Sequence, residues 1–363
     1  VSDQKIVNKN MTDTQTILEA LRPVQDPELQ KSLVELNMIR DLTLDEGALS
    51  FKLVLTTPAC PLKEMIVDDC KKAVQDLPGV ETVDVEVTSE TPQQKSLPDR
   101  EAVSGVKNIV AISSGKGGVG KSSVAVNIAV SLAQTGAKVG LLDADIYGPN
   151  APSMLGLAQA KVRVQESPKG EVLEPAFNHG VKLVSMGFLI DPDQPVVWRG
   201  PMLNGIIRQF LYQVNWGELD YLVVDLPPGT GDAQLTLAQA VPMSGAVIVT
   251  TPQDVSLMDA RRGLKMFEQL NVNVLGIVEN MSYFIPPDLP DRRYDLFGSG
   301  GGEKAAKELN VPLVGCIPLE ISLREGGDRG IPIVISHPNS ASAQALRSIA
   351  EQVAAKISVV ALT

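Results

Sequence analysis

Between Ser113 and Ser123 the chain reads S-S-G-K-G-G-V-G-K-S-S. Gly115, Gly120, Lys121 and Ser122 take the places of the pattern G-x-x-x-x-G-K-[ST]. In that pattern glycines let backbone N–H groups close on phosphate oxygens, the lysine meets the terminal phosphates and the hydroxyl ligates magnesium. The loop Gly115, Lys116, Gly117, Gly118, Val119, Gly120, Lys121, Ser122 and Ser123 is therefore expected to bind a nucleotide's phosphates. Lys121 fills the lysine's role, which leaves Lys116 as a second cation with no task in a single cradle.

Carboxylates stand where such a loop needs them. L-L-D-A-D-I-Y-G-P-N leaves Asp143 and Asp145 just past an apolar run, and V-V-D-L-P-P-G-T-G-D does the same for Asp225. Of the first two, one is suited to act on magnesium through water and the other to orient or deprotonate an attacking water; a pair of turn-forming aspartates is the plain structural alternative. The expected magnesium set is Ser122, Asp143 and Asp225, some through water, and the expected catalytic set is Lys116, Lys121 and Asp145. The glycines of P-P-G-T-G, after Asp225, permit backbone rearrangement, so this segment is expected to act as a switch.

These residues need a frame that gathers loop ends at one edge. From Val106 onward, short apolar runs at 108–112, 139–142, 221–224, 246–251, 274–278 and 313–317 alternate with longer helical patterns. Each run is nearly continuous and rich in β-branched residues, as in a strand buried on both faces. The alternation predicts an α/β fold, a doubly wound, mainly parallel sheet covered by helices, with its ligand site at the strands' carboxyl ends.

A small α/β domain is expected at 12–88, a polar linker containing prolines at 89–105, and the sheet domain at 106–363. In the small domain the spacing predicts a helix ending at Pro23, a strand over Ala48–Leu55, a helix over Leu62–Leu77 and a strand over Val80–Val87. Cys60 stands between Pro58 and Pro61 ahead of the second helix, where unsatisfied N–H groups favour a thiolate, the form that iron binds. Cys70 and Cys316 are expected to pack. Three cysteines among 363 residues are too few for a disulfide framework.

A hydrophobic fraction of 44% and a charged fraction of 21% are those of a globular protein. The formal net charge of -11 argues against a sequence-independent grip on nucleic acid or on an anionic membrane. No run approaches the roughly 20 apolar residues of a membrane span, and the polar start has no secretory core, so a cytoplasmic location is expected.

The loop G-K-G-G-V-G-K-S resembles the deviant Walker A motif of the MinD/ParA/nitrogenase-iron-protein class of P-loop NTPases. Lys116 matches the lysine that, in that class, reaches across a dimer to the partner's nucleotide. D-A-D-I-Y-G-P-N, V-V-W-R-G-P-M (Val196 to Met202) and D-L-P-P-G-T-G-D narrow the resemblance to the Mrp/ApbC family of iron-sulfur cluster carrier ATPases. Asn280, in G-I-V-E-N-M-S at the end of a strand, matches the asparagine that reads the purine, its amide paired with adenine N6 and N7; capping of the strand end is the alternative. The G-C-I-P-L segment around Pro318 resembles the loop on the base's other side. D-P-E-L at 26–29 and T-T-P-A-C-P at 56–61 resemble the small domain of SufT- and PaaD-like iron-sulfur assembly proteins.

The resemblance implies ATP and magnesium as cofactors and a labile iron-sulfur cluster, of the four-iron type, as cargo. It also implies a homodimer through the nucleotide face, and apo iron-sulfur proteins and cluster donors as partners. One departure stands out. Many members carry a C-x-x-C shortly after the segment matching N-M-S-Y-F, and here that place reads I-P-P-D, 285–288. The lack resembles the cyanobacterial and chloroplast branch of the family. It leaves Cys60 as the candidate cluster ligand, with Cys316 or non-thiol groups beside it. The expected function is an ATP-hydrolysing cluster carrier. The alternative, a MinD/ParA-like positioning switch, needs a basic amphipathic or DNA-binding face. The tail helix instead sets Leu346, Ile349, Val353 and Ile357 on one stripe with few basic residues, which reads as core packing.

Overall fold

A computed structural model describes residues 13–93, 100–161, 163–167, 170–189, 200–229 and 231–362. Thr12, positions 94–99 of the expected linker, 196–199 of V-V-W-R-G-P-M, Thr230 of the switch and Thr363 lie outside them. The chain divides into two units, Val1–Pro92 and Gln93–Thr363.

In the first unit, α1 (Thr14–Leu21) starts where Asp13 Oδ1 accepts from the N–H and hydroxyl of Thr16, an N-cap. The short pair β1 (Gln25–Asp26) and β2 (Lys31–Ser32) encloses D-P-E-L, where Asp26 Oδ1 accepts from the Glu28 and Leu29 N–H groups at 2.9 Å. β3 (Ile39–Asp45), β4 (Ala48–Leu55) and β5 (Thr82–Ser89) form a sheet in that order. α2 (Lys63–Val74) crosses between β4 and β5 and makes them parallel. Ile17, Leu21, Phe51, Leu53, Ile66 and Cys70 fill the core. β3 was not expected. Its ladder slips between Arg40 and Thr43, where Asp41 has φ +51°, so the apolar residues Ile39, Leu42 and Leu44 lose strict alternation.

The second unit contains β6 (Val106–Ser114), α3 (Lys121–Gln134), β7 (Val139–Asp143), α4 (Ala151–Met154), the hairpin β8 (Arg163–Ser167) and β9 (Gly170–Glu174), β10 (Ala176–Asn178) and β11 (Val181–Ser185). Then follow α5 (Gly200–Tyr212), β12 (Leu219–Asp225), α6 (Asp232–Ala240), β13 (Gly245–Thr250), α7 (Asp254–Gln269), β14 (Val274–Phe284) and α8 (Gly301–Leu309). β15 (Leu313–Leu319), α9 (Ile321–Arg329), α10 (Ile333–Ser336) and α11 (Ala341–Leu362) complete it. Among the described residues the main sheet has eight strands in the order β10-β11-β7-β12-β6-β13-β14-β15, parallel except for β10 against β11.

α3 and α11 pack together, α3 covering the central strands and α11 covering β15. Ten residues of α3 are buried, so it is enclosed nearly all round, and Leu346, Ile349, Val353 and Ile357 of α11 are buried as their stripe requires. A second cluster joins alternate strand residues, among them Ile109, Ala111, Leu222 and Val224, to Phe210 of α5, Leu237 of α6 and Phe267 of α7. β11 escaped the sequence reading because Lys182 interrupts its short apolar run. The Lys182 ammonium is accommodated by donating to the Trp216 carbonyl at 2.6 Å, a tertiary contact.

The described ends of the expected 89–105 linker are each held by the unit beside them. Ser89 closes β5, Arg100 donates to the Leu270 carbonyl at 2.5 Å at the end of α7, and Val103 is buried in the large unit's core.

Candidate nucleotide site

Sheet register brings the carboxylates together. Asp225 lies opposite Ile112 on β6 and Asp143 on β7, and Asp143 lies opposite Ser185 on β11. Three neighbouring strands thus end at one level, under the loop that follows β6. The Ala144 N–H donates to the Asp225 carbonyl at 2.9 Å, which hangs the D-A-D turn on the end of β12.

The loop itself is shaped by its glycines. Gly118 has φ +79° and Gly120 φ +83°, a region that favours glycine. Gly115 is pressed on α7: a Cβ there would stand 2.2 Å from the Asp259 backbone carbon. Gly120 is the N-cap of α3 and offers no side chain, so the N–H groups of the first turn remain available to an anion, with the helix dipole behind them.

Lys121 is buried, its Nζ 2.6 Å from Asp225 Oδ1, 3.4 Å from Asp145 Oδ2 and 3.4 Å from the Ser122 hydroxyl. Asp143 accepts from the Ser185 hydroxyl at 2.8 Å and from the Asp145 N–H at 3.2 Å. Burial, then the charge of Asp225, pushes the Asp143 carboxyl up to about 8, against the opposing pull of Ser185, the Asp145 N–H and Lys121. Burial likewise raises Asp225, opposed by Lys121 and the Ser122 hydroxyl. Asp225 Oδ2 is buried and has no hydrogen-bond partner. Two close carboxylates and one such oxygen form a site that a cation would neutralise.

Lys116 is half-buried in the same loop, and its carbonyl accepts from the Ser114 hydroxyl at 3.0 Å. In the switch segment the Gly229 N–H donates to the Ser114 carbonyl at 2.8 Å, and buried Gln234 donates to the Pro227 carbonyl at 2.6 Å. A cavity of about 580 Å³ adjoins the loop, lined by Gly120, Asn150, Met154, Asn280, Met281 and Pro318. Asn280 and Pro318 thus line one cavity from neighbouring strands.

Three expectations change. Asn280 lies within β14, which runs on to Phe284, rather than at a strand's end, and one N–H of its Nδ2 donates to the Val119 carbonyl at 2.8 Å, which leaves the second N–H and Oδ1 to face a base. Cys316 does not pack: it is exposed on β15, because its side chain falls on the polar side of that strand, near Glu279, Ser282 and Arg293. Cys60 precedes α2 as expected but packs partly against the small unit's core. Among the described residues no three His, Cys, Asp or Glu side chains converge to hold a metal ion. Ser185 and Gln234, which hold Asp143 and Pro227, were missed. Ser185 ends the strand that the sequence did not reveal, and Gln234 looks like any helical glutamine.

Two family profiles match the chain: ParA, described as NUBPL iron-transfer P-loop NTPase, over residues 105–354, and an iron-sulfur cluster assembly protein family over residues 14–87. The chain is 79% identical to an iron-sulfur cluster carrier protein from Synechocystis sp. PCC 6803, over 97% of this chain and 100% of the relative. It is 51% identical to one from Deinococcus radiodurans, over 94% and 95% of the two chains. Among solved structures, a nucleotide-binding protein from Archaeoglobus fulgidus in complex with ADP matches with a TM-score of 0.55 and 42% identity. That match covers 63% of this chain and 88% of the other.

Proposed function

Since the chain belongs to the family of iron-transfer P-loop NTPases, with an iron-sulfur cluster assembly segment ahead of the NTPase, we propose that it is a magnesium-dependent ATPase that carries iron-sulfur clusters to apoproteins. Residues 12–88 are taken as the assembly-type domain and 106–363 as the ATPase domain. The cargo is assigned as a labile four-iron cluster, and the location as cytoplasmic. Among the described residues no helix is long and apolar enough to cross a membrane.

The observation that carries the nucleotide half is the buried Oδ2 of Asp225, which has no hydrogen-bond partner although the Lys121 ammonium and the Ser122 hydroxyl act on the same carboxylate. Ser122, Asp143 and Asp225 would hold magnesium, some through water, and the ion would supply charge neutralisation at the β- and γ-phosphates. The loop's N–H groups from Gly117 to Ser123 cradle the phosphates. Lys121 exchanges its carboxylate partners for the terminal phosphates, and Asp145 orients or deprotonates the attacking water. Lys116 reaches the nucleotide of a second copy across a two-fold interface, so hydrolysis requires the homodimer. Release of the γ-phosphate then frees the segment that Gly229 and Gln234 hold, and this couples hydrolysis to cluster loading or release.

Whole-length identity with relatives named as cluster carriers supports the cargo. With no convergent set of ligands among the described residues of one copy, Cys60 binds a cluster together with thiols from a second copy or from the receiving protein. Anaerobic reconstitution with iron and sulfide, followed by transfer to an apo four-iron protein with and without ATP, tests this. Wild-type protein should acquire and transfer the cluster, and Cys60→Ser should not; normal transfer by Cys60→Ser would refute the role of Cys60.

A further inference from the structure

The phosphate loop and the neighbouring cavity share one side chain. Asn280 is buried on β14, opposite Ile317 on β15, and its Nδ2 donates to the Val119 carbonyl at 2.8 Å. The amide orientation follows from chemistry: turned over, Oδ1 would face the carbonyl oxygen, two acceptors at hydrogen-bond distance. Gly120 closes on the same nitrogen, since a Cβ at that position would lie 2.2 Å from Nδ2. Val119 sits between two glycines with positive φ, in a loop that has no ladder of its own. Its carbonyl is therefore fixed from outside, by a side chain anchored in the sheet.

We propose that Asn280 is a positioning residue for the phosphate loop, acting through Val119, in addition to forming a wall of the base cavity. The inference rests on the nucleotide reading of this site. Val119 and Gly120 lead directly into Lys121 and Ser122, so a shift of the Val119 peptide displaces the first turn of α3 and with it the groups assigned to phosphate and magnesium. A second consequence concerns the base. With one N–H of Nδ2 engaged by Val119, the amide offers a base its second N–H and its acceptor, Oδ1. That atom suits the 6-amino group of adenine and opposes the 6-oxo group of guanine.

A residue that only read the base would change KM and leave the nucleotide-free loop untouched, whereas a positioning residue acts on kcat whichever purine is bound. The test compares the full-length wild type with Asn280→Asp, which keeps an acceptor for the base but sets an oxygen against the Val119 carbonyl. Steady-state kcat and KM are measured with ATP and with purine riboside triphosphate, which has no 6-amino group. Hydrogen exchange of peptides spanning 114–124 is measured on the nucleotide-free proteins. The expected result is a kcat about tenfold or more lower with both nucleotides, on the scale of one lost buried hydrogen bond, and faster exchange in the loop. Unchanged kcat with both nucleotides and unchanged exchange, with only KM raised, would overturn the proposal. Wild-type protein that hydrolyses neither nucleotide would instead sink the nucleotide reading itself. If Asn280→Asp does not fold, Asn280→Ala carries the same comparison, with the same two outcomes.

Discussion

Lys121 Nζ stands 2.6 Å from Asp225 Oδ1, and the two side chains are 5% and 0% exposed. A buried pair of this kind need not add net stability, but losing one partner leaves the other charge without compensation. Lys121→Met should therefore destabilise the large unit by about 3–5 kcal/mol, in addition to abolishing nucleotide binding. Adding Asp225→Leu should recover most of that stability and none of the binding. Urea unfolding followed by tryptophan fluorescence gives the comparison, and a Lys121→Met protein as stable as wild type would show that the pair is not what holds Asp225.

Lys116 occupies the same loop with a different outlook. It is half-buried and forms no ion pair among the described residues, whereas Lys121 faces two carboxylates of its own chain. Lys116→Ala should keep ATP binding, measured by calorimetry, while ATP hydrolysis falls by about 10³-fold or more, the scale of a cation supplied in trans. Sedimentation with ATP should show a dimer for the wild type. An active, monomeric Lys116→Ala protein would contradict the role in trans.

Much of this arrangement was legible because the fold repeats one physical unit. Six strands announce themselves by nearly unbroken apolar runs, and four of them lead to a Gly, Asp or Asn that can meet a ligand: Gly115, Asp143, Asp225 and Asn280. β11 was illegible because Lys182 breaks its run and is satisfied only by Trp216, distant in sequence. With β11 went Ser185, and so the hydroxyl that holds Asp143. The bond of Asn280 to Val119 was hidden for another reason: local sequence does not show which of two amide atoms a distant backbone will engage. Cys316 was misjudged because the other face of an apolar strand can border polar groups, here Glu279 and Arg293.

Gly115 and Gly205 separate two meanings of glycine. A Cβ on Gly115 would meet the Asp259 backbone at 2.2 Å, whereas a Cβ on Gly205, within α5, would meet nothing within 4 Å. Gly115→Ala must push α7 away from the phosphate loop, which should cost about 1–3 kcal/mol and raise KM for ATP. Gly205→Ala should stabilise by up to about 1 kcal/mol through helix propensity. Denaturant midpoints of both variants decide the matter, and equal effects would mean that the close approach of α7 to Gly115 has no energetic weight.

The cysteines should differ in their access to a thiol reagent. Cys70 is fully buried on α2, and burial, reinforced by Asp69, pushes its thiol up to about 12, so at pH 8 only about one in 10⁴ is ionised. Cys316 is also raised, by burial of its sulfur and by Glu279, yet it is exposed on β15. Iodoacetamide at pH 8, with sites assigned by mass spectrometry, should therefore label Cys60 and Cys316 in the native chain and reach Cys70 only after denaturation. The same shift links to stability. An unfolded thiol ionises near about 8.5, whereas folded Cys70 keeps its proton, so its contribution is fully present below that pH and is lost as pH rises toward 12. Between pH 8 and 10 the wild type should lose stability more steeply than Cys70→Ala; parallel pH profiles, or native labelling of Cys70 at pH 8, would show that the thiol is not held in its neutral form.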